Sequence, residues 1–436
     1  LPPFFILLIW EVNHSTGAFP IPLYICAPFF ILILAMAVLP QLWPEFWERD
    51  LNKLMIAVLC ALPIVVFFGT GSSRQLVAAI DEYLAFIVLI GALFVITGGI
   101  VLEGDLPGTP AANTIFLLVG AVIANFIGTT GSSMLLIRPW LKMNCQRHYT
   151  RHLPVFFIFL VSNIGGALTP LGDPPLFLGY LRGVPFEWNL NLFPHWGITI
   201  ALLLTTFYLW DTRCFKREPE QIRKGLRFPF RFCSIRITGA FNLWLLLAVI
   251  AVILLRVITP WREMIMIMLA LISLGFTPGS LRSKNRFTWH PLIEVAMLFA
   301  GLFITMRPVM MILEAKGAAF GINQPWQFFW LVGGLSSFLD NAPTYATFFA
   351  LATNVTRTIS DGFPVIAGVR GDLLVAISCG AVFMGANSYI GNGPNLMVRS
   401  IAEAQDFETP QFFEYLGYSF AILVPVFLVL TGLFFI

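Results

Sequence analysis

Charge is what this sequence has least of. Only 11% of its 436 residues are Asp, Glu, Lys or Arg, whereas 58% are hydrophobic and 15% are aromatic. A soluble domain carries about 25% charged residues, so the composition excludes an ordinary soluble protein. The mean hydropathy of +0.83 is typical of a chain that crosses the lipid bilayer many times. We therefore predict an all-α polytopic membrane protein.

The sequence also lacks the residue patterns of enzymes. It contains no nucleophile with an adjacent base, no phosphate loop and no dinucleotide fingerprint, and its five histidines have no metal-site spacing. The six cysteines are scattered, so no disulfide framework is visible. The basic run at 216–236 is interpreted as an orientation signal that touches lipid headgroups. We expect no enzymatic activity, no cofactor and no nucleic-acid partner.

Ten apolar stretches are long enough to cross the bilayer, which takes about 20 residues. They lie at residues 22–42, 52–69, 84–102, 153–180, 193–213, 240–258, 263–277, 292–313, 372–398 and 416–436. Two further stretches, 113–138 and 325–352, are interrupted at their centres by small or polar residues. We predict that these two form re-entrant hairpins, which enter and leave the membrane on one side.

The chain contains one segment twice. Residues 166–178 align without a gap with residues 385–397, and both copies interrupt an apolar stretch with Gly and Pro. Each half has three crossings, a hairpin, an interrupted crossing and a final crossing. Because five full crossings is an odd number, the second half is expected to be inverted, as in alternating-access carriers. The predicted divisions are an N-terminal segment at 1–21 whose true start is missing, repeat 1 at 22–213, a basic linker at 214–239, and repeat 2 at 240–436.

The distribution of positive charge supports this topology. When the linker is placed in the cytoplasm, most of the 26 Lys and Arg residues fall in loops on the same side. This is the positive-inside bias of membrane proteins.

Two carboxylates are the main candidates for chemistry. An ionised carboxylate at the bilayer centre costs about 2.5–3.5 kcal/mol, so its presence there suggests a function. Asp340 lies at the tip of the second hairpin, and Asp173 lies at the break of the first interrupted crossing. We expect both to bind protons or a cation, with Asp340 the more important. The alternative for each is a helix cap.

Oxygen donors surround these two positions in the sequence and suit a hard cation such as sodium. The candidates are Asn341, Thr344, Asn163, Thr169, Asn387, Ser388, Asn392 and Asn395. At the tip of the first hairpin, the residues Gly128, Thr129, Thr130, Gly131 and Ser132 serve either as ligands or as a surface for close helix packing. No metal site other than one for Na+ is expected.

Other charged residues have more than one interpretation. Arg307 either pairs with a carboxylate or an anionic substrate, or extends to the membrane surface. Glu82 and Glu294 each precede an apolar crossing and are interpreted as interfacial anchors.

Two motifs resemble those of a known group of proteins. SNIGGALTPLGDPP, at 162–175, resembles the signature of the ion transporter superfamily, which includes NhaD-type sodium/proton antiporters. LDNAPT, at 339–344, resembles the second-hairpin motif of that superfamily. From about Ile21 onward the chain is similar to bacterial proteins labelled sodium/proton antiporters or citrate transporters. This resemblance implies two inverted repeats, hairpins that meet near the midplane, a homodimer, elevator-like motion and a multi-pass location in the bacterial inner (plasma) membrane.

The resemblance leaves the substrate open among three alternatives. The first is exchange of Na+ for H+ as transported ions, which suits an acidic hairpin tip. The second is sodium- or metal-coupled citrate or dicarboxylate transport, for which the tip departs from the Ser-Asn-Thr motif of sodium-coupled carriers and would repel the substrate. The third is a non-transporting subunit of a membrane complex. We predict sodium/proton antiport.

Overall fold

The computed structural model describes residues 21–71, 73–104, 106–227, 236–285, 287–359 and 362–436. Nearly all of the predicted segment 1–21 and the middle of the predicted linker lie outside these residues. In the described part, helices dominate, and the extended structure consists of two small antiparallel sheets of two strands each. The prediction of an all-α polytopic membrane protein is confirmed.

The helices of the first half follow the predicted apolar stretches. They are α1 (Ala27–Leu42), α2 (Pro44–Trp47), α3 (Asp50–Gly71), α4 (Ser73–Thr97), α5 (Pro110–Asn144), α6 (His152–Leu160), α7 (Pro174–Leu181), α8 (Phe193–Arg217) and α9 (Glu220–Arg227). Short 3-10 helices occupy Leu23–Cys26, Ile164–Leu168 and Phe186–Leu192. Strand β1 (Val101–Glu103) pairs with β2 (Arg236–Thr238) in the linker, with Leu102 opposite Ile237.

The second half is also mostly helical. Its helices are α10 (Phe241–Leu254), α11 (Trp261–Phe276), α12 (Gly279–Lys284), α13 (His290–Lys316), α14 (Pro325–Ser336), α15 (Asn341–Thr358), α16 (Gly371–Met384), α17 (Gly393–Glu403) and α18 (Phe412–Leu430). The 3-10 helices Gly317–Phe320 and Gly385–Asn387, a final π-helix at Thr431–Phe435, and the strands β3 (Val365–Ile366) and β4 (Val369–Arg370) complete it.

Seven helices of the described part are long and apolar enough to cross a membrane, and three shorter apolar helical stretches accompany them. The chain is therefore a multi-pass membrane protein. One predicted boundary is wrong. The crossing expected at 84–102 begins at Ser73, so Glu82 lies inside α4 and not before it. In this N-terminal part of α4, Gln75 and Glu82 contact Arg307, and Glu82 also contacts Arg182.

The first hairpin is formed by α5, which folds back on itself. Asn113 and Asn144 lie 31 positions apart, which would separate them by about 46 Å in a straight helix, yet Asn113 Nδ2 donates to Asn144 Oδ1 at 2.9 Å. The reversal occurs at Gly128, whose φ of 79° and ψ of 155° are not helical. Such a φ favours glycine. We call residues 110–144 hairpin 1.

The second hairpin consists of α14 and α15, joined at residues 337–340. Its two helices pack side by side, and the rings of Phe328 and Phe348 have centroids 6.2 Å apart. We call residues 325–358 hairpin 2. Both stretches predicted to be interrupted therefore fold as hairpins.

The two interrupted crossings share one backbone conformation. In the first, α6 and α7 flank the break, and in the second, α16 and α17 do. Thr169 has φ/ψ of −141°/156° and its aligned residue Ser388 has −139°/167°. Asp173 has −144°/143° and its aligned residue Asn392 has −154°/140°. The sequence alignment thus corresponds to a local structural equivalence.

The helices form two groups. The hairpins, the interrupted crossings, α8 and α18 make the hairpin bundle, whose centre includes the fully buried α6. The peripheral bundle consists of α1, α3, α4, α10, α11 and α13, and α1 and α3 expose many apolar side chains, as lipid-facing helices do. The face that bears β1, β2 and α9 is called the linker face. The opposite face, at the start of α4 and the end of α13, is called the far face.

Candidate ion-binding site

Asp173 lies where the hairpin tips and the interrupted crossings meet, and only 2% of its surface is exposed. Its Oδ1 accepts hydrogen bonds from Thr129 Oγ1 at 2.8 Å and from Asn392 Nδ2 at 3.2 Å. Its Oδ2 accepts one from Asn341 Nδ2 at 2.5 Å. Thr129 belongs to hairpin 1, Asn341 to hairpin 2, and Asn392 to the second interrupted crossing. One carboxylate therefore connects the tips of both hairpins with both interrupted crossings.

The backbone brings hairpin 1 to this carboxylate through a close contact with the first interrupted crossing. Thr129 N donates to Gly172 O at 2.8 Å. The loop that carries Gly172 turns so tightly that a Cβ atom there would lie 2.0 Å from Gly166 O. Glycine at position 172 thus allows the turn that places Asp173 under the hairpin tip.

A chain of amide side chains connects the two interrupted crossings. Asn392 Nδ2 also donates to Asn163 Oδ1 at 3.1 Å, and Asn163 Nδ2 donates to Asn395 Oδ1 at 2.7 Å. Asn395 Nδ2 in turn donates to the carbonyls of Gly385 and Ser388, both at 2.9 Å. All of these amides are buried. Because buried polar groups need partners, this network holds the two breaks in register.

Thr169 and Ser388 connect each break to its own hairpin. Thr169 Oγ1 donates to Asn125 O at the end of the first leg of hairpin 1. Ser388 Oγ donates to Ser337 O at the corresponding end in hairpin 2. The two aligned hydroxyl groups therefore make equivalent bonds, and in this structure they hold the hairpins in place.

Asp340 has a different environment from Asp173. It is only half-buried, its Oδ1 accepts a hydrogen bond from Ala342 N at 3.0 Å, and Thr344 Oγ1 donates to its backbone carbonyl at 3.0 Å. These are the bonds of a helix N-cap. Asn387 lies deeper, where its Nδ2 donates to Ser337 Oγ at 2.8 Å and its Oδ1 is buried without a partner in the described structure.

The residues at the tip of hairpin 1 divide between the two predicted roles. Thr129 contacts the carboxylate, whereas Gly128 makes the turn and Ser132 Oγ donates locally to Thr129 O at 3.1 Å. Thr130 and Gly131 line a cavity beside the tip. The tip therefore supplies one hydrogen-bond donor to Asp173 and one wall of the cavity.

This cavity has a volume of about 40 Å³ and lies between hairpin 1 and α4. Asp173 lies at its polar end, and apolar side chains of α4, including Phe86, Leu89 and Leu93, form the opposite wall. The residues that line it include no Lys, Arg or His. A water needs at least about 10–15 Å³ of such space, so the cavity accommodates an ion with little hydration but not a tricarboxylate.

Several helix N-termini point to the same centre. Helices α7, α15 and α17 begin at Pro174, Asn341 and Gly393, and the second leg of hairpin 1 begins just after Gly128. Each N-terminus has a partial charge of about +0.5. These termini stabilise negative charge at Asp173 and would also attract an anionic substrate.

A buried charged cluster at the base of hairpin 1 was not predicted from the sequence. Asp211, fully buried in α8, accepts bonds from Arg147 at 2.5 and 3.1 Å, from Asn113 Nδ2 at 2.9 Å, and lies 3.0 Å from His152 Nε2. Arg147 lies in the loop between α5 and α6, yet it is only 5% exposed. An acid inside an apolar helix was the signal in the sequence that pointed to this cluster.

The charged residues interpreted as anchors have partners on neighbouring helices. Glu294 Oε1 lies 2.8 Å from Lys53 Nζ. Glu82 lies between two arginines, with Oε2 3.5 Å from Arg182 NH2 and Oε1 3.6 Å from Arg307 NH1. Within the described residues, no group of three or more His, Cys, Asp or Glu could hold a metal ion.

This combination of hairpins, interrupted crossings and a buried carboxylate is that of a secondary transporter. A family model described as "Putative citrate transport" matches residues 18–435, and the chain belongs to that family. A comparison with curated proteins finds no match.

Proposed function

We propose that this protein exchanges sodium ions for protons at the Asp173 carboxylate, by alternating access. One observation carries the proposal. Asp173 is a buried carboxylate whose hydrogen-bond partners, Thr129, Asn341 and Asn392, are all neutral. A buried charge needs a partner, and either a proton or a sodium ion can neutralise this one.

The mechanism follows from competition between a proton and Na+ for the Asp173 carboxylate. A proton on Asp173 removes the charge that attracts Na+, and bound Na+ disfavours the proton. If the site faces the two sides of the membrane in turn, the uptake of one ion is coupled to the release of the other. In this proposal, residues 22–213 and 240–436 are inverted repeats, and both contribute helices to each bundle. An elevator-like movement of the hairpin bundle relative to the peripheral bundle changes the exposed side.

Cation-coupled carboxylate transport is the second candidate function. The family description supports it, and so do the helix N-termini that converge near Asp173. In that case Asp173 would bind the coupling proton or cation, and the cavity beside hairpin 1 would have to widen to admit the carboxylate.

Transport by purified protein in liposomes distinguishes the two candidates. With a pH-sensitive dye inside, an imposed Na+ gradient should drive proton movement in the opposite direction, and Asp173→Asn should abolish it. Asp406→Asn is a matched control, because Asp406 is exposed and follows the C-terminal end of α17, whose N-terminus lies at the site. Uptake of radiolabelled citrate without Na+-driven proton movement would instead establish the second candidate.

Orientation is tested separately by cysteine labelling in cells. Gln221→Cys, in α9, should react only with reagents that reach the cytoplasm. Arg357→Cys, at the end of α15, should react with impermeant reagents added outside. Labelling of both positions from the same side would contradict the inverted arrangement.

A further inference from the structure

Three charged side chains meet at the far face, where the hairpin bundle contacts the peripheral bundle. Glu82 on α4 and Arg307 on α13 belong to the peripheral bundle, and Arg182, just after α7, belongs to the hairpin bundle. One oxygen of Glu82 lies 3.5 Å from Arg182 NH2 and the other lies 3.6 Å from Arg307 NH1. One carboxylate is therefore shared by two arginines from different bundles.

Arg182 is the residue that joins the bundles here. Its NH1 donates to Ala346 O in hairpin 2 at 2.9 Å, and its guanidinium lies 5.7 Å from the ring centroid of Phe349. Its NH2 contacts Glu82 and also lies 3.3 Å from Met310 Sδ on α13. The side chain is only 10% exposed. Arg182 is thus fixed to hairpin 2 on one side and bonded to the peripheral bundle on the other.

Further contacts close the far face around it. Tyr180 OH donates to Ile253 O at the end of α10 at 3.2 Å. Asn354 in hairpin 2 donates to Glu314 O at the end of α13 at 2.8 Å and receives a hydrogen bond from Ala318 N, in the 3-10 helix that follows α13, at 2.7 Å. The cavity at Asp173, by contrast, is bordered by α4 between Phe86 and Phe94, the half of the helix nearer the linker face. The two bundles are therefore in contact at the far face, and the cavity beside Asp173 lies toward the linker face. A second cavity of about 270 Å³ at the far face is lined by residues of α4 and α13 alone, among them Gln75 and Arg307, so it lies within the peripheral bundle and not between the bundles.

Arg307 has a fixed position beside Glu82. Its Nε donates to Gln75 Oε1 at 2.9 Å, and both residues lie in the peripheral bundle with Glu82. If the hairpin bundle moves relative to the peripheral bundle, Arg182 leaves Glu82 but Arg307 does not. An ionised Glu82 left without any partner in this partly buried position would be costly.

We propose that Arg182 and Glu82 form a latch that keeps the far face closed, and that Arg307 retains Glu82 when the latch opens. This inference rests on the proposed alternating-access function. Removal of Arg182 should favour the state open at the far face, because the closed state loses an ion pair. Removal of Arg307 should have the opposite effect, because the open state would then contain an unpaired Glu82.

The test measures the distance between the bundles directly. Spin labels at Leu190→Cys and Trp261→Cys, in full-length protein without its native cysteines, report on the far face, because both positions are exposed and lie on different bundles. Pulsed electron paramagnetic resonance in lipid nanodiscs should show a main short distance and a minor longer one. Loss of a partly exposed pair changes such a ratio roughly twofold to fivefold.

The variants are expected to change the population with the longer distance in opposite directions. Arg182→Met should raise the longer-distance population, and Glu82→Gln should raise it as well, which keeps the test available if one of them does not fold. Arg307→Met should lower it. Arg256→Met is the control, because its pair with Glu187 joins the same regions but is about two-thirds exposed, so little change is expected.

Two results would overturn the latch. The first is that the protein shows both distances but Arg182→Met and Glu82→Gln do not change the ratio of their populations. That result would refute the latch but not alternating access. The second is an increase of the longer distance by Arg307→Met. A single distance in the wild type under every Na+ and pH condition would refute both the latch and the alternating-access function.

Discussion

Replacement of Asp173 by asparagine removes the central charge and keeps the size of the side chain. The new Oδ1 can still accept from Thr129 and Asn392, but the new Nδ2 would face Asn341 Nδ2. Asn341 Oδ1 is buried without a partner in the described structure, so a half-turn of that amide would restore the bond. We therefore expect a change in stability of about 1 kcal/mol or less.

Asp173→Ala provides the contrast. It removes the acceptor of three hydrogen bonds and leaves the donors of Thr129 and Asn341 buried without a partner, whereas Asn392 Nδ2 keeps Asn163 Oδ1. Each unsatisfied donor costs about 1–3 kcal/mol, so this variant should be destabilised by several kcal/mol. Each variant is heated in detergent over a range of temperatures, and the fraction that stays folded is measured by size-exclusion chromatography. Asp173→Ala should unfold at a lower temperature than Asp173→Asn.

Transport should fail in both variants for the same reason, since neither has an ionisable group at the centre. The dye-based liposome assay should show no Na+-driven proton movement for Asp173→Asn, although that protein is folded. Normal exchange by Asp173→Asn would refute the assignment of the carboxylate as the ion-binding group.

The pseudo-symmetry of the site offers a rescue experiment. Asn392 occupies the aligned position in the second half, and its Nδ2 lies 3.2 Å from Asp173 Oδ1. The double variant Asp173→Asn with Asn392→Asp moves the carboxylate by about one side chain and keeps the charge of the site. We expect part of the exchange activity to return, whereas an inactive but folded double variant would show that the position of the carboxylate, and not only its presence, is required.

Three further variants test the surrounding structure. Asp340→Asn should keep both fold and exchange, because Asn caps helices as well as Asp; loss of exchange in folded protein would return Asp340 to the leading role expected from the sequence. Gly128→Ala should lower stability by about 1–3 kcal/mol and reduce transport, since φ/ψ of 79°/155° is a conformation of glycine and a Cβ would lie 3.2 Å from Leu171 O; an unchanged thermal midpoint would contradict this. Asp211→Asn removes the carboxylate nearest to the buried Arg147 and leaves only Glu218, at 3.9 Å, as an ion-pair partner; it should cost about 3 kcal/mol in denaturation, while a double replacement of Asp211 and Arg147 by apolar residues should recover much of the loss.

The sequence alone determined the class of protein and the apolar helices, and it predicted the segments that carry the candidate site. The predicted stretches 52–69 and 193–213 agree with α3 and α8 to within a few residues at each end. This success has a physical cause, because an apolar segment in lipid must satisfy its backbone hydrogen bonds internally and therefore forms a helix. The interruptions at 113–138 and 325–352 were visible for the same reason, since Gly and polar residues mark positions where the helix cannot continue.

The tertiary structure alone decided which acid occupies the centre. Asp173 and Asp340 have similar local sequences, each beside residues that start a helix, so local rules could not rank them. Burial of Asp173 depends on Thr129, 44 positions away, and on Asn392, 219 positions away. The partners of Arg182 likewise come from distant helices. Hydrogen bonds and ion pairs between remote segments depend on how the two bundles pack, and no pattern within a single segment specifies that packing.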